Sequence, residues 1–158
     1  MIAFPEFKTL QLQDKEFFQG FFKEYRPEIS ELTFTNLFIW RSHYKFQWSI
    51  YKEWLVIVSL EGEYGTYAME PIGPSPRDEV TRQVVEWMRE EKNEKNPRIE
   101  RADERIIREI EGIRDISIEP TRDHFDYVYL RDDLVSLAGS KYRSKRNHIN
   151  QLLRTYSY

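Results

Sequence analysis

Lys141, Arg143, Lys145, Arg146, Asn147, His148 and Asn150 crowd into ten residues near the end of the chain, and their shared chemistry is anion recognition. Arginine offers phosphate or carboxylate a planar fork, lysine a point charge, and asparagine a further hydrogen bond. From Lys141 to Arg154 there are five Lys or Arg, one His and no acid. On a helix over residues 140–156, Tyr142, Ile149, Leu152, Leu153 and Tyr156 form an apolar stripe. Arg143, Arg146 or Asn147, Asn150 and Arg154 form a polar one. One side is expected to pack and the other to present donors. A merely solvated amphipathic helix carries the same pattern, so the rest of the chain has to decide.

The rest of the chain is acidic. Overall there are 24 Lys or Arg against 27 Asp or Glu, a net charge of −3, yet no acid follows Leu134. The first 134 residues therefore hold 19 basic and 27 acidic residues, a net of −8. That excludes an all-round basic nucleic-acid binder and confines polyanion contact to the basic segment.

Other chemistries are poorly supplied. Without cysteine there is no disulfide, no thiolate nucleophile and no Cys-based zinc or iron–sulfur site. Phosphate-binding Walker loops, dinucleotide fingerprints, nucleophile elbows and paired-His zinc motifs are all missing. His124 sits near Asp123 and Asp126, but so few ligands favour a turn over a metal site. Asp132 and Asp133 read as the acidic start of a short helix. No metal and no cofactor is expected, and no residue qualifies as a general base.

The elements that must position the basic segment follow from periodicity. With 40% hydrophobic residues, including 10 Phe, 10 Tyr and 4 Trp, a 158-residue chain can bury one core. Residues 7–12 alternate as a strand, Asp14 reads as an N-cap, and Phe17, Phe18, Phe21, Phe22 and Tyr25 recur on one helical face. A second helix starts after Pro27, at Ser30. Strands are expected at 44–51, 54–60 and 65–70, joined by short turns at 52–53 and 61–63 as a meander. Asp78 opens a helix, a strand follows at 98–102, and Asp103 caps another helix that Gly112 stops. Two more strands are expected at 115–119 and 126–130 before the basic helix. The longest apolar run, 54–60, is too short to span a membrane, and no signal sequence opens the chain, so a cytoplasmic protein is expected.

This α+β order resembles the GNAT acyltransferase fold, a mixed, mainly antiparallel sheet flanked by helices, here with an added C-terminal basic helix. The expected division is an acyltransferase-like domain over 1–135 and a basic helix over 136–158. In that fold, the loop after the fourth strand cradles a cofactor pyrophosphate with backbone N–H groups. The matching loop, 71–76, has three prolines in six residues and Gly73 as its one glycine, so ordinary acetyl-CoA binding is not expected. Arg77 is expected to be a solvated residue beside a helix start.

The stretch Gly139-Ser-Lys-Tyr-Arg-Ser-Lys-Arg-Asn-His-Ile-Asn is narrower evidence. It resembles the G-x-K-Y-x-x-K-R-N-H-I-N signature of the phosphatidylglycerol lysyltransferase C-terminal-like family, a domain of unknown function. Phe4-Pro-Glu-Phe-Lys, Tyr25-Arg-Pro-Glu-Ile-Ser, Pro71-Ile-Gly and Arg122-Asp-His-Phe-Asp-Tyr-Val-Tyr-Leu agree as well, in order, along the chain. The resemblance implies two acyltransferase-like domains in tandem, related to enzymes that move an aminoacyl group from aminoacyl-tRNA. This chain is similar to the N-terminal half, with the basic helix as linker to a second domain, and transfer by this half alone is not expected. Lys141, Arg143, Lys145 and Arg146 would then contact phosphates of tRNA or another phosphorylated substrate. Asn147, His148 and Asn150 would position the partner or the helix. The alternative is a non-catalytic assembly module whose terminal helix docks a second copy or a separate second domain.

Overall fold

An apolar run without alternation predicts a strand covered on both faces, and residues 54–60 lie in the central strand of a five-stranded sheet, β3 (Trp54–Gly62). Around it run β1 (Lys8–Thr9), β2 (Phe46–Tyr51), β4 (Gly65–Met69) and β5 (Ile99–Glu100), in the spatial order β1-β2-β3-β4-β5. The computed structural model describes residues 2–62 and 65–156. The first three pairings are antiparallel and β4 runs parallel to β5. Tyr51 faces Trp54 across a two-residue turn in which Lys52 takes the left-handed conformation. The expected turn at 61–63 reaches Glu63, which lies outside the described residues.

Side-chain alternation along β3 sorts two cores. Leu55 and Ile57 join Trp48, Tyr67 and Met69 on the face covered by α1 (Lys15–Tyr25) and α2 (Phe34–Tyr44). Trp54, Val56 and Val58 join Ala68 on the other face, under α3 (Asp78–Glu90) with its Val80, Val84 and Met88. Phe18 of α1 is fully buried, worth about 2–3 kcal/mol in apolar transfer. Asp14 turns back from α1 instead of capping it. Its carboxylate accepts from Lys8 Nζ (2.7 Å), Gln11 N–H (2.9 Å) and Trp48 Nε1 (3.0 Å). Burial pushes this carboxyl up, and those donors outweigh it and hold it below the usual range. Thr33 caps α2 through the Asn36 N–H, so that helix starts later than Ser30.

The fold is α+β, as the element order implies, with one correction. Residues 115–119 and 126–130 are not strands. Their alternation is genuine, but a strand exists only where a neighbouring strand pairs with it, and among the described residues neither segment pairs with one. The chain divides into two compact units, residues 1–124 and 125–158. The second unit holds α5 (Arg131–Ser136) and the basic helix α6 (Arg143–Thr155). Among the described residues no helix is long and apolar enough to cross a membrane.

Candidate functional site

In the second unit the basic residues separate by what already holds them. Lys141 Nζ pairs with Asp133 Oδ2 at 2.9 Å, and Tyr142 OH donates to the same oxygen at 3.1 Å. Lys141 and then Tyr142 thereby keep the Asp133 carboxyl below its usual range. Asp133 thus opens α5 as its sequence position implied, and it also anchors the start of the basic segment. Arg146 Nη1 donates to the carbonyls of Leu137 and, at 2.8 Å, Gly139, tying off the chain that leaves α5. Lys145 lies over the Tyr129 ring at 5.0 Å.

Arg143, Asn147, Asn150 and Arg154 recur at helical spacing on α6 and are exposed, and so are Lys145 and His148. The seven residues singled out by type therefore fall into two groups. Lys141 and Arg146 are hydrogen-bonded by their own chain, whereas Arg143, Asn147 and Asn150 form an exposed row with His148 and Lys145 beside it, Lys145 exposed although it leans on Tyr129. The apolar stripe is a further departure. Tyr142 is buried at 4%, but Leu153 and Tyr156 are about 60% exposed, so this face of α6 is largely uncovered within the chain.

The first unit holds a second constellation. A cavity of about 390 Å³ opens beside the proline loop, between the end of α1 and α4 (Glu104–Ile110). The loop is pinned to β3: Leu55 and Ile72 exchange backbone hydrogen bonds of 2.8 and 3.0 Å, and Trp54 Nε1 donates to Pro74 O at 2.7 Å. Gly73 is required there, because a Cβ would run into the Trp54 ring and the Glu53 carbonyl.

Past the loop, Arg77 is not solvated but 8% exposed. Its Nε and Nη2 each donate to the Glu109 carboxylate at 2.9 Å, and its backbone N–H donates there at 2.7 Å. The N-terminus of α3, where an acyltransferase loop would present N–H groups to pyrophosphate, is thus met by a carboxylate of the chain itself. On the other wall, Asp103 caps α4 by accepting from Arg105 N–H (2.8 Å) and Ile106 N–H (3.2 Å), and it also takes Arg105 Nε at 2.7 Å.

Glu70 lies between these pairs and is 1% exposed. Its Oε2 accepts the Asp103 N–H at 3.0 Å, and its Oε1 has no hydrogen-bond partner among the described residues. Burial, with the Asp103 charge adding to it, pushes its carboxyl up to about 7 against the pull of that hydrogen bond, Arg77 and Arg105.

The profile of the family described as "Phosphatidylglycerol lysyltransferase, C-terminal" matches residues 22–158. The chain belongs to this family. A similar solved structure is that of a conserved protein of unknown function from Bacteroides thetaiotaomicron VPI-5482. It is 31% identical, with a TM-score of 0.79. The similarity covers 99% of this chain and 51% of that one, so this chain spans about half the length of that relative. Comparison with curated proteins finds no match.

The Gly139–Asn150 stretch falls on the basic segment, whereas Tyr25-Arg-Pro and Pro71-Ile-Gly place Tyr25, Pro27, Ile72 and Gly73 on the cavity lining. Nothing in type or spacing singles out Glu70, Arg105 or Glu109, and Asp103 stands out only as a helix cap. One signal was present: Glu70 is an acid closing an apolar strand immediately before a proline, a place where burial rather than solvation is the rule for the neighbours.

Proposed function

We propose that this chain is the N-terminal, acyltransferase-like half of an aminoacyl-tRNA-dependent aminoacyltransferase-type protein, and that its basic helix holds a phosphorylated substrate such as tRNA. The observation that carries the reading is the open row Arg143, Asn147, Asn150 and Arg154, with Lys145 beside it, on a helix without an acid. Family membership supports the transferase class, and the half-length match supports a protein in which another domain supplies the transfer chemistry. Arg143 and Lys145 bind phosphate, Asn147, His148 and Asn150 complete the hydrogen bonding, and Lys141 and Arg146 hold the segment's shape while adding field. The place of action is the cytoplasm, where aminoacyl-tRNA is made.

The test is tRNA affinity across a potassium chloride series. Affinity is expected to fall with salt, and Arg143→Ala/Lys145→Ala to reduce the log–log slope by about 1–2, in line with roughly one counterion per phosphate contact. Arg146 is a poor choice, because its removal also frees the Leu137 and Gly139 carbonyls. An unchanged slope and affinity would sink the phosphate role.

A second reading, an assembly module, is favoured by the apolar surface of the second unit. Tyr127, Val128, Leu130, Val135 and Leu153 are all more than half exposed. In this reading a second copy, or a separately encoded second domain, covers them. Sedimentation velocity is expected to show concentration-dependent dimers that Leu153→Glu abolishes. A strict monomer at high concentration overturns docking by a second copy.

A further inference from the structure

The cavity of the first unit has no part in the phosphate reading, and its charges call for the opposite ligand. Both of its arginines are already neutralised at close range, Arg77 by Glu109 and Arg105 by Asp103. An incoming carboxylate or phosphate would have to displace one of those acids and would meet Glu70 and Glu24 on the same lining. What remains unsatisfied is one acceptor. Glu70 belongs to the cavity lining and its buried Oε1 has no partner among the described residues, and a buried carboxylate oxygen is costly until a donor, best a charged one, meets it.

A metal ion fits poorly, since hard cations gather several oxygen ligands and Glu70 offers a single unpartnered one. Tyr25, Pro27 and Ile72 add apolar surface to the same lining. The volume suits a small molecule.

We infer that this cavity binds a small primary amine, its ammonium group donating to Glu70 Oε1 and its aliphatic stem lying against Tyr25, Pro27 and Ile72. The inference stands apart from the tRNA reading, because it concerns the first unit and a cationic ligand. Either can fail alone.

The experiment is calorimetric titration of the full chain with n-butylamine, n-butanol and acetate at pH 8, on the parent, Glu70→Gln and Glu24→Gln. Butylamine is expected to bind saturably in the millimolar range, with n-butanol and acetate weaker by roughly tenfold or more, the equivalent of about 1.4 kcal/mol. Glu70→Gln keeps the shape and the acceptor for the Asp103 N–H but removes the charge. It is expected to lose butylamine binding by roughly tenfold, while Glu24→Gln, whose side chain is exposed, changes it by less than about threefold. Circular dichroism of the variants confirms that both are folded. Absence of saturable butylamine binding, a preference for acetate, or equal affinity in Glu70→Gln overturns the assignment.

Discussion

Arg77→Met is expected to destabilise the first unit by about 3–5 kcal/mol, because it strands the Glu109 carboxylate in a site built around the guanidinium. Both side chains are largely buried, at 10% and 15% exposure, so water cannot substitute for the lost partner. Arg77→Met/Glu109→Leu is expected to recover most of that loss, since a packed apolar pair leaves no buried charge behind. Urea denaturation of the four proteins of this cycle measures it.

The acid side supplies an independent check. Burial raises the Glu109 carboxyl, but the Arg77 side chain and N–H outweigh burial and hold it below its ordinary 4.5. An acid with a depressed folded-state value stabilises above its unfolded value and loses that contribution as pH falls through the folded one. Parent stability should therefore decline below about pH 4.5, and Arg77→Met should lose most of that component. A cost below about 1 kcal/mol for the single variant would mean that the pair is solvated and that the cradle is not closed.

Glu70→Gln is expected to act in the opposite direction and to stabilise the protein by about 3 kcal/mol at pH 8. The carboxyl rises from an ordinary 4.5 to about 7 in the folded state, and each unit corresponds to about 1.4 kcal/mol. The sign follows from proton uptake. The folded state holds the Glu70 proton more tightly, so raising pH from about 4.5 to 7 progressively destabilises the parent, and above that the loss is complete. Glutamine has no proton to lose at that atom, so its stability should stay level through the same window apart from other groups. Denaturation midpoints between pH 5 and 8 distinguish the two. Parallel profiles for parent and variant would show that Glu70 is not held away from charge compensation.

Much of this was legible in the residues. The both-face burial of β3 is written in its unbroken apolar run, and the Phe18 and Phe22 face of α1 in its helical spacing. Asp103 as a cap was also readable, because an acid before a helix has few better uses. The cavity was not. Arg77 and Glu109 are 32 positions apart, and nothing local distinguishes an arginine beside a helix start in water from one closed over by a later helix. Segments 115–119 and 126–130 failed for a related reason. Alternation reports a side-chain pattern and says nothing about whether another strand lies alongside. The basic segment shows a third limit: its composition says which residue types are present, but not that Arg146 spends its guanidinium on the carbonyls of Leu137 and Gly139.

The sheet also has a bearing on how the chain acquires its shape. Spatial order equals chain order from β1 to β5, and β2 passes to β3 through two residues. Closing so short a loop costs little entropy, whereas joining β4 to β5 means enclosing the whole of α3 first. The hairpin of β2 and β3 is accordingly among the cheap long-range pairings of the sheet. Since β3 supplies side chains to both cores, one early hairpin presents the templates on which α1, α2 and α3 can each condense.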